Sequence, residues 1–116
     1  ALLRAHALQS RAATVGFDWP GLEGVVAKVH EELAEVLAPG AQQADEVGDL
    51  LFAVVNLARH LHVDPEQALR RAAGRFERRF REMEKAGSLA GLSLEEMDRR
   101  WEAAKAAEAD AGGSAP

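Results

Sequence analysis

Residues 29–51, VHEELAEVLAPGAQQADEVGDLL, limit the possible folds most strongly, because two helix-forming segments stand on either side of one short turn. Apolar residues recur at helical spacing before Pro39-Gly40 and again after it. Pro39-Gly40 ends the first helix, and the few residues that follow force the next helix to run antiparallel to it. The segment therefore predicts an antiparallel helical hairpin.

The rest of the chain also predicts helices, and no strand. We expect five helices, at about 1–14, 21–38, 42–62, 65–86 and 94–108, followed by a disordered tail over 109–116. Asp64 with Pro65 is typical of the start of a helix, and Ser93 with Glu96 forms a capping box for the last one. The predicted fold is all-α, an antiparallel helical bundle formed by one domain over residues 1–108.

Apolar spacing also predicts which helix faces are buried. On the second helix these positions are Leu22, Val25, Val26, Val29, Leu33, Val36 and Leu37, and on the fourth they are Leu69, Ala72, Ala73, Phe76, Phe80 and Met83. The third helix is apolar over more of its circumference than one protomer of this size can cover. We therefore predict that a homodimer or a higher homo-oligomer completes the bundle.

Composition excludes several classes of protein. A net charge of −5 argues against nucleic acid as a partner, and the absence of cysteine excludes disulfides and thiolate metal sites. No apolar run approaches the roughly 20 residues that span a bilayer, so no membrane partner is expected. We expect no signal peptide in the first residues, because Arg4, His6 and Arg11 interrupt them. We expect a soluble cytoplasmic protein.

Four acidic residues of the predicted hairpin should meet. Glu35 and Glu46 lie equally far from the centre of the turn, and so do Glu32 and Asp49. Within each helix the two acids are three positions apart and thus share a face. Antiparallel packing should therefore gather four carboxylates between the two helices, one turn deep.

Such a cluster of like charges destabilises the fold unless a cation compensates it. Lys28 is the only nearby cation on the same helices, and Glu31 adds a further negative charge. Carboxylate oxygens are the ligands that Mg²⁺ and Mn²⁺ prefer, so the cluster predicts a divalent-cation site. The alternative is a solvated acidic edge that Lys28 and distant arginines balance, since acidic helix faces are common.

Several motifs resemble one protein family. The segments are KVHEELAEV, DEVGDLLFAVVNLARHL and FERRFREME, with RAATVGFDWP before them and LEEMDRRWEAAK after them. Together they resemble the MazG family of nucleoside triphosphate pyrophosphohydrolases, most closely the C-terminal domain of its two-domain members, over about residues 4–105. The resemblance implies an all-α dimer that uses Mg²⁺ to hydrolyse a nucleoside triphosphate between the α- and β-phosphates, giving NMP and pyrophosphate, as a house-cleaning enzyme.

The resemblance also implies roles for individual residues. The implied metal ligands are Glu32, Glu35, Glu46 and Asp49, with Glu31 as a further catalytic residue that orients a water or a ligand. The implied phosphate contacts are Lys28, Arg75 and Arg79; the alternative for the two arginines is a solvated basic face paired with Glu77, Glu82 and Glu84. Asn56 is expected to contact the substrate or to be a satisfied core amide, and Trp101 is expected to pack on the base.

Other polar and aromatic residues are expected to have structural roles. We interpret Trp19 as an anchor of its loop and the histidines His30, His60 and His62 as ordinary surface residues.

Three departures from the family pattern leave a second function open. The spacer of ten residues between Glu35 and Glu46 is short, Gln42 and Gln43 stand where a basic residue is common, and Ala73 replaces a common Asn. The alternative is a non-catalytic dimerisation or regulatory module with the same fold. A di-iron carboxylate bundle is excluded, because it requires Glu-x-x-His pairs and the hairpin has none.

Overall fold

The chain folds into five helices in a computed structural model that describes residues 1–113, with side chains described up to residue 109. The helices are α1 (Leu2–Thr14), α2 (Leu22–Leu37), α3 (Gln43–His60), α4 (Pro65–Lys85) and α5 (Leu94–Gly113). No strand occurs among the described residues, which confirms the all-α prediction. The predicted disordered tail overlaps α5 as far as Gly113, and residues 114–116 lie outside the described part of the chain.

Local chemistry explains where most helices begin and end. Asp64 Oδ1 accepts hydrogen bonds from the backbone N–H groups of Glu66 and Gln67 at 2.9 and 3.2 Å, which caps α4 as predicted. Ser93 Oγ accepts a 3.2 Å bond from the N–H of Glu96 and caps α5 in the same way. Gly40, with a φ of +77°, adopts the left-handed conformation that the tight turn between α2 and α3 requires. α3 ends at His60, two residues earlier than predicted, because His62 turns the chain away with a φ of 59°.

The chain divides within α4 into two compact units, and the first comprises Ala1–Leu69. In this unit α3 packs against both α2 and α1, so α3 is the central helix. Val25 of α2 and Ala53 and Val55 of α3 are buried between the helices. This arrangement places the acidic end of α2 beside the acidic start of α3.

The second unit begins at Arg70 and contains the rest of α4 together with α5. Met83 of α4 and Ala104 of α5 are buried. The Phe76 and Trp101 rings lie 5.5 Å apart, and Arg100 Nη1 donates a 2.7 Å hydrogen bond to the carbonyl oxygen of Gly87. These contacts join α5 to α4 and to the connection between them.

The predicted core is only partly correct. Val25 and Met83 are buried as expected, but many other predicted core residues are exposed: Leu22, Val26, Leu33, Leu37, Leu69, Phe76 and Phe80. The apolar spacing correctly identifies the hydrophobic side of each helix. It does not reveal whether a neighbouring helix covers that side.

Candidate functional site

Three of the four carboxylates predicted to meet, those of Glu32, Glu46 and Asp49, form one group, and the fourth, Glu35, is grouped with Glu31 and Glu32. Oxygens of Glu32, Glu46 and Asp49 lie within 4.8 Å of one another, and so do oxygens of Glu31, Glu32 and Glu35. Glu32 belongs to both groups and links the last turns of α2 to the first turns of α3. The short turn and the helical spacing of the acids produce this cluster, which we call the carboxylate cluster.

Two oxygens of the carboxylate cluster lack a hydrogen-bond donor. Glu32 is only 5% exposed, and its Oε2 is buried without a partner among the described residues. Glu46 Oε2 on the facing helix is in the same state. A buried carboxylate oxygen without a donor or a cation is costly, and native structures rarely contain one without a reason. The arrangement therefore fits a cation with oxygen ligands.

Lys28 compensates part of this charge. Its Nζ lies 2.9 Å from Glu32 Oε1 and 3.5 Å from Glu31 Oε1. The hydrogen bond from Lys28 lowers the pKa of Glu32 below its usual value, although burial opposes this effect. The same hydrogen bond raises the pKa of Lys28. The pair therefore stays ionised and holds Glu32 in one orientation.

The neighbouring carboxylates oppose the ionisation of Glu35. Glu32 accepts a hydrogen bond from Glu35 only when Glu35 is protonated, and this interaction, together with the negative charge of Glu32, raises the pKa of Glu35. Burial and Glu46 raise the pKa of Glu35 further. A group whose ionisation is opposed by its neighbours is stabilised when a cation binds beside it.

A cavity of about 570 Å³ lies beside the carboxylate cluster in the first unit. Three cluster-side residues, Lys28, Glu32 and Asp49, contribute polar groups to its lining. The other lining residues come from α1, from the loop before α2 and from α3, and they include the aromatic side chains of Phe17, Trp19 and Phe52. The cavity thus joins a mostly apolar wall to the charged cluster.

Asp18 holds the loop that borders this cavity. Its Oδ1 accepts a hydrogen bond from Arg59 Nη2 at 2.5 Å and lies 2.9 Å from His60 Nε2. The Arg59 guanidinium is the main cause that lowers the pKa of Asp18 to about 2. The prediction that His60 is an ordinary surface histidine is therefore wrong, because its side chain is largely buried against a residue 42 positions away.

Trp19 packs against α2 through a glycine. A Cβ added at Gly24 would lie 3.0 Å from Cε3 of the Trp19 ring, so the missing side chain allows the ring to approach the helix. Trp19 is 45% exposed and also lines the cavity. Its contact with α2 agrees with the predicted anchoring of the loop.

Two carboxamide side chains line the cavity, and the sequence pattern indicated only one of them. Asn56 accepts hydrogen bonds through Oδ1 from Arg59 Nε at 3.1 Å and Nη2 at 2.9 Å. Gln9 of α1 is 7% exposed and donates a 2.8 Å hydrogen bond from Nε2 to the backbone oxygen of Phe52. Gln9 was missed because α1 is only weakly amphipathic and Phe52 lies 43 positions away.

Comparison with known proteins identifies the family to which the chain belongs. The chain is 46% identical over 95% of its length to the nucleoside triphosphate pyrophosphohydrolase of Escherichia coli (strain K12), covering 46% of that protein. It is also 46% identical over 90% of its length to a Thermotoga maritima protein named nucleoside triphosphate pyrophosphohydrolase/pyrophosphatase MazG, covering 44% of it. The chain belongs to the MazG family.

A third relative aligns with a smaller part of the chain. A Bacillus subtilis protein named uncharacterized protein YabN is 44% identical over 54% of this MazG-family chain, which covers 14% of that protein. A scan of protein-family models gives no match. The chain spans less than half the length of the Escherichia coli and Thermotoga maritima relatives.

The remaining predicted site residues of this MazG-family chain belong to the second unit. Arg79 donates from Nε and Nη2 to the two carboxylate oxygens of Glu108 at 3.2 and 3.3 Å, and its guanidinium lies 5.3 Å from the centre of the Trp101 ring. The bond from Arg79 lowers the pKa of Glu108. Arg75 is exposed. The substrate contacts of Arg75, Arg79 and Trp101 stay predictions.

Among the described residues, Arg75 and Arg79 do not form the ion pairs with Glu77, Glu82 and Glu84 that the alternative predicted. Arg81 pairs with Glu77 at 2.6 Å and Lys85 pairs with Glu82 at 2.9 Å, but Arg79 pairs with Glu108 of α5 instead. None of the helices in the described part of this MazG-family chain is both long and apolar enough to cross a membrane.

Proposed function

We propose that this MazG-family chain hydrolyses nucleoside triphosphates between the α- and β-phosphates, releasing NMP and pyrophosphate. One observation carries the proposal: Glu32 Oε2 of α2 and Glu46 Oε2 of α3 are both buried without a hydrogen-bond partner among the described residues. The names of the Escherichia coli and Thermotoga maritima relatives support the same activity. These relatives are more than twice as long as the aligned part, so the activity is assigned to this part of them as a proposal.

The carboxylate cluster is the proposed site of a divalent cation. Its ligands would be Glu32, Glu35, Glu46 and Asp49, and an all-oxygen set of this kind suits Mg²⁺ or Mn²⁺. When bound, such a cation supplies positive charge that offsets the charge developing on the phosphate oxygens during hydrolysis. Lys28 contacts Oε1 of Glu32 and leaves Oε2 available, so the lysine orients this ligand.

Other residues of the chain would bind the substrate and the attacking water. Lys28 lies at the edge of the cavity, where its ammonium group can contact a phosphate. Asn56 lines the same cavity and would contact the nucleoside. Glu31 is exposed beside the carboxylate cluster and would orient a water, and a carboxylate of the cluster would accept the proton that this water loses. Arg75, Arg79 and Trp101 belong to the second unit, and the substrate contacts that the family resemblance implies for them stay predictions.

We also propose that the chain forms a homodimer. Apolar residues of α2 and α3 are exposed in the single chain, with Leu37 75% exposed and Leu51 56% exposed. Leu33, Val47 and Val54 on the same two helices are also more than 40% exposed. A second copy that covered these residues would bury apolar surface that is otherwise in water, which is the main favourable contribution to association.

The proposed activity is tested by identifying the products. Purified chain is incubated with a panel of NTPs and dNTPs in Mg²⁺, in Mn²⁺ or in EDTA, and the phosphorus products are identified by ³¹P NMR. We expect NMP and pyrophosphate in the presence of the cation and no reaction in EDTA.

A variant in α3 tests the role of the carboxylate cluster, and a variant in α2 is its control. Glu46→Gln should abolish the release of pyrophosphate, whereas Glu23→Gln, at the far end of α2, should leave it unchanged. Absence of any product from folded chain with either cation would contradict the proposal. That result would favour the second candidate, a non-catalytic module, which the pairing of Arg79 with Glu108 favours because it already neutralises a predicted phosphate contact.

A further inference from the structure

Gln9 lines the cavity and carries an unpaired hydrogen-bond acceptor. Its Nε2 donates to the backbone oxygen of Phe52, and a carbonyl oxygen can only accept, so the orientation of the carboxamide is fixed. Its Oε1 is consequently buried without a partner among the described residues. A buried acceptor in this state is stabilised by a ligand that brings a donor.

Asn56 presents the complementary group to the same cavity. Arg59 donates two hydrogen bonds to Asn56 Oδ1, and Asp18 in turn holds Arg59. This arrangement fixes the Asn56 carboxamide with Nδ2 as its free end, and Nδ2 makes no hydrogen bond to another described residue. Two residues that line the cavity therefore carry one unpaired acceptor, on Gln9, and one unpaired donor, on Asn56.

The shape and the lining of the cavity favour a flat aromatic ligand attached to an anionic chain. Its volume of about 570 Å³ lies within the roughly 300–1,000 Å³ that is usual for small-molecule sites. Phe17, Trp19 and Phe52 supply aromatic surface, and Lys28 stands where the cavity meets the carboxylate cluster. A nucleotide whose base occupies the cavity would direct its phosphates toward the proposed cation site.

We propose that Gln9 is a base-recognition residue: its Oε1 accepts a hydrogen bond from an N–H donor of the nucleobase, while Asn56 Nδ2 donates to an acceptor of the same base. This inference rests on the proposed function, because the nucleobase belongs to the proposed substrate. It adds a residue of α1 to the site and gives the cavity a defined ligand class. All natural nucleobases carry a donor and an acceptor on one edge, so the pair serves any of them.

The test compares substrates that differ by one donor. Three natural NTPs are each paired with an analogue that lacks an exocyclic amino group: purine riboside triphosphate for ATP, 2-pyrimidinone riboside triphosphate for CTP and ITP for GTP. In the wild type we expect kcat/KM to fall by roughly tenfold to a hundredfold for at least one pair, because the analogue leaves Gln9 Oε1 unpaired. In Gln9→Met this ratio should fall to about twofold or less, since the acceptor is gone.

The ratio separates recognition from a merely structural role. Loss of the Gln9–Phe52 hydrogen bond could loosen α1, but that would lower the rates for both members of a pair and leave their ratio unchanged. If Gln9→Met does not fold, binding of the same pairs to the wild type, measured by calorimetry, still tests the proposal. The proposal would be overturned if the wild type showed equal kcat/KM, or equal affinity, for both members of every pair. An unchanged ratio in Gln9→Met would overturn it as well. Failure to hydrolyse or bind any NTP would instead contradict the proposed function.

Discussion

Lys28 Nζ lies 2.9 Å from Glu32 Oε1, whereas the other oxygen of the same carboxylate is buried without a partner. One carboxylate therefore combines a satisfied oxygen with an available one. The lysine neutralises part of the charge and contacts only one of the two oxygens. This division explains how a buried glutamate can be retained beside four further carboxylates and still offer an oxygen to a cation.

Replacement of Lys28 should affect both stability and substrate binding. Lys28→Met leaves Glu32 buried without its cation, so we expect a lower free energy of unfolding in denaturant titrations at neutral pH. The double variant Lys28→Met with Glu32→Gln should lose less than the sum of the two single variants, because the charge itself is gone. Strictly additive losses would contradict the pairing. KM for NTP should rise roughly tenfold or more, and Lys28→Arg should rescue most of this rise.

Glu35→Gln should stabilise the metal-free chain. The pKa of Glu35 is raised by Glu32 and, to a smaller extent, by Glu46, so its ionised form is unfavourable in the folded state at neutral pH. We expect a higher Tm than that of the wild type in EDTA and a smaller increase in Tm on addition of Mg²⁺. Differential scanning calorimetry measures both quantities. An unchanged Mg²⁺-induced increase would show that Glu35 is not a ligand.

Asp18 should make the free energy of unfolding depend on pH in the acidic range. Its pKa is lowered from 3.8 to about 2, mainly by Arg59, so the ionised form is stabilised by folding. That contribution is complete above a pH of about 4 and is lost as the pH falls toward about 2. We expect Asp18→Asn to be less stable than the wild type at neutral pH and the difference to shrink across this window. Urea titrations between pH 2 and pH 7 test it, and a constant difference would contradict the role of Arg59.

The exposed apolar face of α2 and α3 should determine the oligomeric state. Leu51→Glu places a charge in this face, and we expect it to shift a dimer toward monomer in size-exclusion chromatography with light scattering at micromolar concentration. Leu3→Glu on α1 is the matched control, because Leu3 is 58% exposed but lies on another helix. A wild type that is monomeric under these conditions would contradict the proposed homodimer.

The sequence predicts features that depend on local spacing and fails where distant contacts decide. The turn at Pro39-Gly40 and the three-residue spacing of the acids suffice to bring Glu32, Glu46 and Asp49 together, because both are local properties of an antiparallel hairpin. Capping by Asp64 and Ser93 is local as well and is confirmed.

Other features could not be derived in this way. The burial of Gln9 and of His60 depends on residues more than 40 positions away, and neither residue belongs to a local motif. Periodicity gives the apolar side of a helix, but exposure depends on what covers that side, as Leu33 and Phe76 demonstrate. The burial or exposure of these residues could therefore be determined only from the three-dimensional structure.

Binding of Mn²⁺ tests the central claim most directly, because the claim is that acids of α2 and α3 together bind a divalent cation. Free Mn²⁺ is measured by electron paramagnetic resonance during titration of the wild type, Glu46→Gln and the control Glu23→Gln. We predict binding to the wild type, weaker binding to Glu46→Gln by roughly tenfold or more, and no change in Glu23→Gln. No binding to the folded wild type, or equal binding to Glu46→Gln, would contradict the account.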